Sequence, residues 1–230
     1  MKNTQSKRID TRTLVLGAVF TALVIILQLM GAFIKFGPFS ISLVLIPIVL
    51  GAATCGILVG AWLGLVFGIV VLASGDAASF MAVDAFGTVL TVLLKGVGCG
   101  LASGAVYKLV YSFMKRRSEK KISGLVDKKL LCKNCEYGMV NYFSRNSQYV
   151  AVLAAAIVCP LVNTGIFLLG CLVFFLDTIA TWAAGAGFGD NVGVYIIAGF
   201  VGFNFLFELG TNIILSPVIV RLLNIRKKQN

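Results

Sequence analysis

The sequence predicts an all-α integral membrane protein: one domain, residues 1–230, of six transmembrane helices with the N- and C-termini cytoplasmic. Three observations lead there. The chain is 59% hydrophobic and only 13% charged, about half the charge of an ordinary soluble domain. Its apolar residues gather in runs that supply six crossings of a roughly 30 Å hydrocarbon core. Its basic residues sit beside those runs in three blocks: Lys2, Lys7, Arg8 and Arg12; nine residues between Lys115 and Arg145; and Arg221, Arg226, Lys227 and Lys228. Basic blocks flanking spans lie on the cytoplasmic side, and two ends on one side require an even number of spans. Only Lys35, Lys95 and Lys108 fall elsewhere. A net charge of +11 would suggest nucleic acid if it formed a patch on a soluble face; distributed this way it reads as orientation.

The first span covers about Thr13 to Ile34. The polar, basic stretch before it and the lack of a small-residue cleavage site behind it mark a retained span, not a signal peptide. It carries Gly17, Ala18, Thr21 and Ala22, small residues at helical spacing that either admit a neighbouring helix closely or serve ordinary packing. Lys35 to Ser40 then forms an outer turn broken by Gly37 and Pro38. From Ile41 to Ser74 there is no charge, and as one helix that stretch would measure about 51 Å. It divides near Thr54 to Gly56 into two short or tilted spans joined on the cytoplasmic side.

Gly75 to Ala85, with Asp76, Ser79 and Asp84, is an outer loop able to dip towards the bundle. The fourth span, Phe86 to Met114, holds Lys95 in its outer half and then Gly96, Gly98, Gly100 and Gly104. Lys95 either snorkels to the headgroups or enters a pocket, and the glycines thin the helix for a ligand or a neighbour. A basic cytoplasmic loop, about 115–148, separates spans four and five; its excess charge suits the cytoplasmic side or anionic lipid.

The fifth span, Tyr149 to Leu176, has Pro160 near Asn163 and Thr164. Asn163 therefore either satisfies a carbonyl freed by the proline or donates into a pocket. The outer loop Asp177 to Val192 contains Trp182, Asp190 and Asn191, and its glycines and alanines suit a cover. The sixth span, Val194 to Leu223, aligns Asn204, Glu208 and Asn212 on one stripe. An ionised carboxylate at mid-bilayer costs about 3 kcal/mol or more, so the stripe faces protein or water. Asn204 lies in the outer half, Glu208 at a pocket floor or bonded to Asn163, and Asn212 deeper, as structural glue.

Some chemistry is excluded. Without histidine the commonest general base and metal ligand are gone, and no GxxxxGK[ST] loop is present to hold ATP, so the chain is not read as an enzyme. Cys55, Cys99, Cys159 and Cys171 lie in apolar runs, where thiols act as small hydrophobes. Cys132 and Cys135 form one CxxC, which supplies only half of a structural zinc site.

Ala18-Val19-Phe20-Thr21-Ala22 matches the first-helix AxxxA motif of the substrate-binding S components of energy-coupling factor (ECF) vitamin transporters, and in size and span count the chain resembles that family throughout, apart from 115–148. Phe36-Gly37-Pro38-Phe39-Ser40-Ile41, the Ile46-Pro47 pair and the run to Gly64-Leu65-Val66-Phe67-Gly68 are similar to the pantothenate-type subgroup. The resemblance implies a bacterial cell-membrane subunit that captures a water-soluble vitamin from outside, with pantothenate as first choice. It then docks through Ala18 and Ala22 on a transmembrane T component bearing two ABC ATPases, topples, and releases the vitamin inside. ATP is used by the partners, and no cofactor or metal is expected in this chain. Pocket candidates by position are Phe36, Phe39, Ser40, Asp76, Asp84, Lys95, Asn163, Trp182, Asn191, Asn204 and Glu208, with Lys95 opposite the ligand carboxylate. Riboflavin, folate or cobalamin are the other vitamins weighed. An oligomeric channel or small ion-coupled permease is the reading from a different class, and an intramembrane enzyme centred on Glu208 a third.

Overall fold

The computed structural model describes residues 11–33, 35–36, 39–40, 43–127, 133–189 and 191–228, with side chains for 11–31, 43–124, 138–140, 142–189, 191–198, 202, 204–221 and 223. The described chain is helical apart from a two-rung ribbon. In order it runs α1 (Thr11–Phe33), β1 (Lys35–Phe36), β2 (Phe39–Ser40), α2 (Leu45–Cys55), α3 (Ile57–Ala73), the single turn α4 (Ala78–Met81), α5 (Ala85–Asp127), α6 (Lys133–Phe174), α7 (Leu176–Gly185), α8 (Val192–Tyr195) and α9 (Gly202–Lys228). Between α8 and α9 the backbone widens into a π-helical stretch, Ile196–Val201. β1 and β2 pair antiparallel, with Lys35 opposite Ser40 and Phe36 opposite Phe39.

Among the described residues, three helices are long and apolar enough to cross a membrane: Thr11–Gly31, Ala85–Gly124 and Gly138–Phe174. Their outer faces carry bare apolar side chains, among them Val15, Val19 and Met30 on α1 and Leu169, Leu172 and Val173 on α6. Such a surface is costly in water and free of that cost against lipid tails, which are as apolar as leucine. The chain is a membrane protein.

The uncharged stretch breaks where its length demands. Gly56 takes φ +101° between α2 and α3, a conformation open to glycine and strained for other residues. α2 has 11 residues, about 16 Å of helix, and buries Leu45 and Pro47 through Ala52. It is a short central strut, apolar all round because it is enclosed all round.

Glycine determines how α3 and α5 meet. Gly60, Gly64 and Gly68 of α3 lie against Gly100, Gly96 and Val92 of α5, an antiparallel register in which a Cβ on Gly64 would strike the Gly96 carbonyl and one on Gly96 the Gly64 carbonyl. The glycines of the fourth span thus serve a neighbouring helix. α5 also packs along α6, and α6 against α9. The main core joins Val24, Val49, Leu63, Phe67, Cys99, Ala155 and Ile219 of α1, α2, α3, α5, α6 and α9. A second cluster, Phe80, Cys171, Phe175, Ile179 and Ile196, closes one end. Among the described residues Cys55, Cys99, Cys159 and Cys171 are free thiols; the thiols of the CxxC lie outside the described residues.

Two segments read as loops are largely helical. Of 115–148, Lys115–Asp127 continues α5 and Lys133–Gln148 begins α6. Lysine, arginine and glutamate are strong helix formers, and Lys115 pairs with Glu119 one turn on at 3.8 Å. The segment after the fifth span folds as α7 because Ile179 and Ala183, one turn apart, are both buried, Ile179 within the second cluster. The connection after α3 does dip inward: Ala77 and Phe80 are buried.

Candidate functional site

Each long helix turns one polar face towards the second cluster, and these faces enclose a cavity of about 90 Å³, room for several waters or the body of a small ligand. α5 contributes Thr88, Thr91 and Lys95, three residues that share a helix face by their spacing. α6 contributes Asn163, Thr164, Phe167 and Cys171, and α9 contributes Asn204, Phe205 and Glu208 just beyond the π-helical stretch. Gln28 reaches in from α1, Phe67 and Val71 from α3, and Asp76, Ala77 and Phe80 from the connection that follows.

Glu208 is the hub of the polar wall. It is 1% exposed and accepts from Asn163 Nδ2 at 3.4 Å and from Asn204 Nδ2 at 3.3 Å. Asn163 thus donates across to α9, and Glu208 both lines the cavity and accepts from Asn163. Asn212 lies behind the wall, where its Nδ2 donates to the Glu208 carbonyl at 2.8 Å. Gln28, also 1% exposed, donates from Nε2 to Asp76 Oδ2 at 2.7 Å, tying α1 to the connection after α3.

Lys95 does not snorkel. Its ammonium rests 5.6 Å from the Phe67 ring centroid and 5.4 Å from that of Phe167, within the range where ring faces attract a cation. Among the described residues it forms no ion pair. The cavity therefore holds a cation against aromatic faces near a carboxylate network. Among the described residues, Gln28 Oε1, Asn163 Oδ1 and Asn204 Oδ1 have no hydrogen-bond donor, and a buried acceptor left so costs about 1–3 kcal/mol.

Lys95, Asn163, Asn204 and Glu208 are thus brought together, with Asp76 beside them. Asp84, Trp182 and Asn191 are not part of the cavity lining. Asp84 is used at the start of α5, where its Oδ1 accepts from Gly87 N at 3.1 Å. Trp182 stands behind the wall, its ring 5.5 Å from Phe80 in an edge-on contact. Asn191 is solvent-exposed ahead of α8. Phe36, Phe39 and Ser40 sit on the ribbon, and their side chains lie outside the described residues.

Sequence reasoning passed over Gln28, Thr88, Thr91 and the aromatic lining. Gln28 carried a signal, since it is a strongly polar residue well inside an apolar span. The phenylalanines carried none, being 17 in number and spread along the chain.

Ala18 and Ala22 are exposed on α1. The adjacent Gly17 and Thr21 face α3: Gly17 lies over Val59, Thr21 Oγ1 donates to the Gly17 carbonyl at 2.8 Å, and Trp62 Nε1 donates to Thr21 Oγ1 at 3.2 Å. The strip of small residues is divided between a face packed on α3 and an exposed face.

The family model described as ECF transporter, substrate-specific component, matches residues 12–220. No curated protein and no solved structure matches the chain.

Proposed function

Because the chain belongs to the substrate-specific components of ECF transporters, which are transporter subunits and not enzymes, we propose that it captures a water-soluble vitamin with a carboxylate, pantothenate by preference, in the cavity between α1, α3, α5, α6 and α9. The observation that carries this reading is the placement of Lys95, a cation without an ion pair among the described residues, inside that cavity. Its phenyl neighbours hold the ammonium inside the cavity, which Asp76 and Glu208 also line, in reach of an anionic ligand.

Six crossings with both ends in the cytoplasm is the proposed topology, supported by the three basic blocks. In that orientation the polar wall belongs to the outer halves of α5 and α9, and the ligand enters from outside the bacterial cell. Delivery proceeds by docking on the T component and its two ATPases, which use the ATP. Ala18 and Ala22 are the proposed contact, since they are exposed and small enough for close helix approach. The test is mass spectrometry of ligand extracted from the purified chain. A retained carboxylate-bearing vitamin is expected; a chain that transports ions unaided and retains none would overturn the reading.

A further inference from the structure

The end of α5 away from the cavity has a face that the described residues leave uncovered. Leu109, Phe113, Arg116 and Lys120 follow one another at steps of four, three and four residues, with Arg117 beside them and Lys121 at the edge, so they share one stripe of the helix. Leu109 is 68% and Phe113 64% exposed, and the four basic residues are exposed as well. The opposite side is the packed one: Ile122 is buried, and Ser118 is half-buried and donates back to the Met114 carbonyl at 2.8 Å. Lys115 is engaged with Glu119, whereas Arg116, Arg117, Lys120 and Lys121 form no ion pair among the described residues.

This stripe changes from apolar to cationic within one turn, and its dimensions are those of a membrane surface. Bare apolar side chains on a helix able to span are at home against acyl chains. From Arg116 to Lys121 the helix rises about 7.5 Å, and the headgroup layer of a bilayer is about 5–8 Å deep. Basic side chains directly beyond a span attract anionic headgroups there.

We propose that the stripe seats an anionic phospholipid, with one acyl chain along Leu109 and Phe113 and the phosphodiester among Arg116, Arg117 and Lys120. Each arginine can present a paired N–H fork to a phosphate. An acidic protein would be met by the cations alone, and the apolar half of the same stripe selects a partner with a tail. Leu109 is 14 residues on from Lys95, about 21 Å of helix, so this seat is separate from the cavity and independent of what the cavity binds. Under the proposed topology the lipid belongs to the cytoplasmic leaflet.

The test is native mass spectrometry of the purified chain in a nonionic detergent, titrated with phosphatidylglycerol and with phosphatidylcholine of the same acyl chains. The first phosphatidylglycerol should bind at least roughly tenfold more tightly than the first phosphatidylcholine, and the preference should shrink as salt is raised. Arg116→Gln, Arg117→Gln and Lys120→Gln combined should bring the two lipids to within about threefold of each other. Glutamine forms helices about as well as arginine and lysine, so the end of α5 stays helical. Lys2→Gln, Lys7→Gln and Arg8→Gln combined remove as much charge from elsewhere and should leave the preference intact. Glycerophosphoglycerol, the headgroup without its tails, should bind at least roughly 100-fold more weakly than the lipid. Equal affinity of the unsubstituted chain for both lipids overturns the proposal whatever the variants do. So does the same loss in both variants, a preference that survives in the first, or a free headgroup that binds as well as the lipid.

Discussion

Gly64 on α3 and Gly96 on α5 meet backbone to backbone, each where the other's Cβ would lie. Phe67, one turn on from Gly64, and Lys95, next to Gly96, line the cavity, so this close helix approach bears on the distance between the Lys95 ammonium and its aromatic rest. Gly64→Val should force the helices apart and cost about 1–3 kcal/mol, the usual range for overpacking. A thermal melt in detergent should show a lowered midpoint, with weaker ligand binding in the folded fraction; an unchanged midpoint and affinity would contradict the contact.

Lys95→Ala should lower pantothenate affinity at least roughly tenfold, about 1.4 kcal/mol. Because Asp76 and Glu208 line the same cavity, its removal takes the counter-charge from these carboxylates, so the melting midpoint should fall as well. Unchanged binding by the purified variant would remove Lys95 from the site.

Glu208 holds two amides, and its replacements separate geometry from charge. Glu208→Gln keeps the shape, yet only its Oε1 accepts and its NH2 end meets a second NH2, so the side chain of Asn163 or Asn204 must turn. Ligand affinity should fall with modest loss of stability. Glu208→Leu leaves both amide NH2 groups without their acceptor, at about 1–3 kcal/mol each. The ordering of melting midpoints, unsubstituted above Gln above Leu, is the check.

Ala18→Trp changes only an exposed position, and surface substitutions usually stay within about 0.5 kcal/mol. Vitamin binding by the isolated chain should therefore persist. Copurification with the T component should be lost, because a bulky side chain prevents close approach of a second helix. Retention of the complex would move the docking surface elsewhere on α1.

Much of the fold was legible because membrane insertion is a local requirement. The break at Gly56 followed from the length of an uncharged stretch, the inward face of Asn204 and Glu208 from the cost of a carboxylate in lipid, and the family from a few short motifs. Lys115–Asp127 and Leu176–Gly185 were less legible: polarity marked them as lying outside the hydrocarbon, and polarity alone does not distinguish a loop from a helix that continues past the membrane. Asp84 and Trp182 had the right chemistry and the right end of the bundle, but the N-terminus of α5 took one and the back of Phe80 the other.

That this chain lives in a membrane, that its helices break where they do, and that Asn204 and Glu208 need a polar environment inside it can be read from the residues one by one. Those are consequences of transfer free energy, which each residue carries with it. That Lys95 turns inward to two phenyl rings, that Gln28 joins the wall through Asp76, and that Glu208 gathers Asn163 and Asn204 emerged from the packing of the helices alone. Those facts depend on which helix faces meet, and helix faces are chosen by packing: here by glycines of α3 and α5 that allow two backbones to touch.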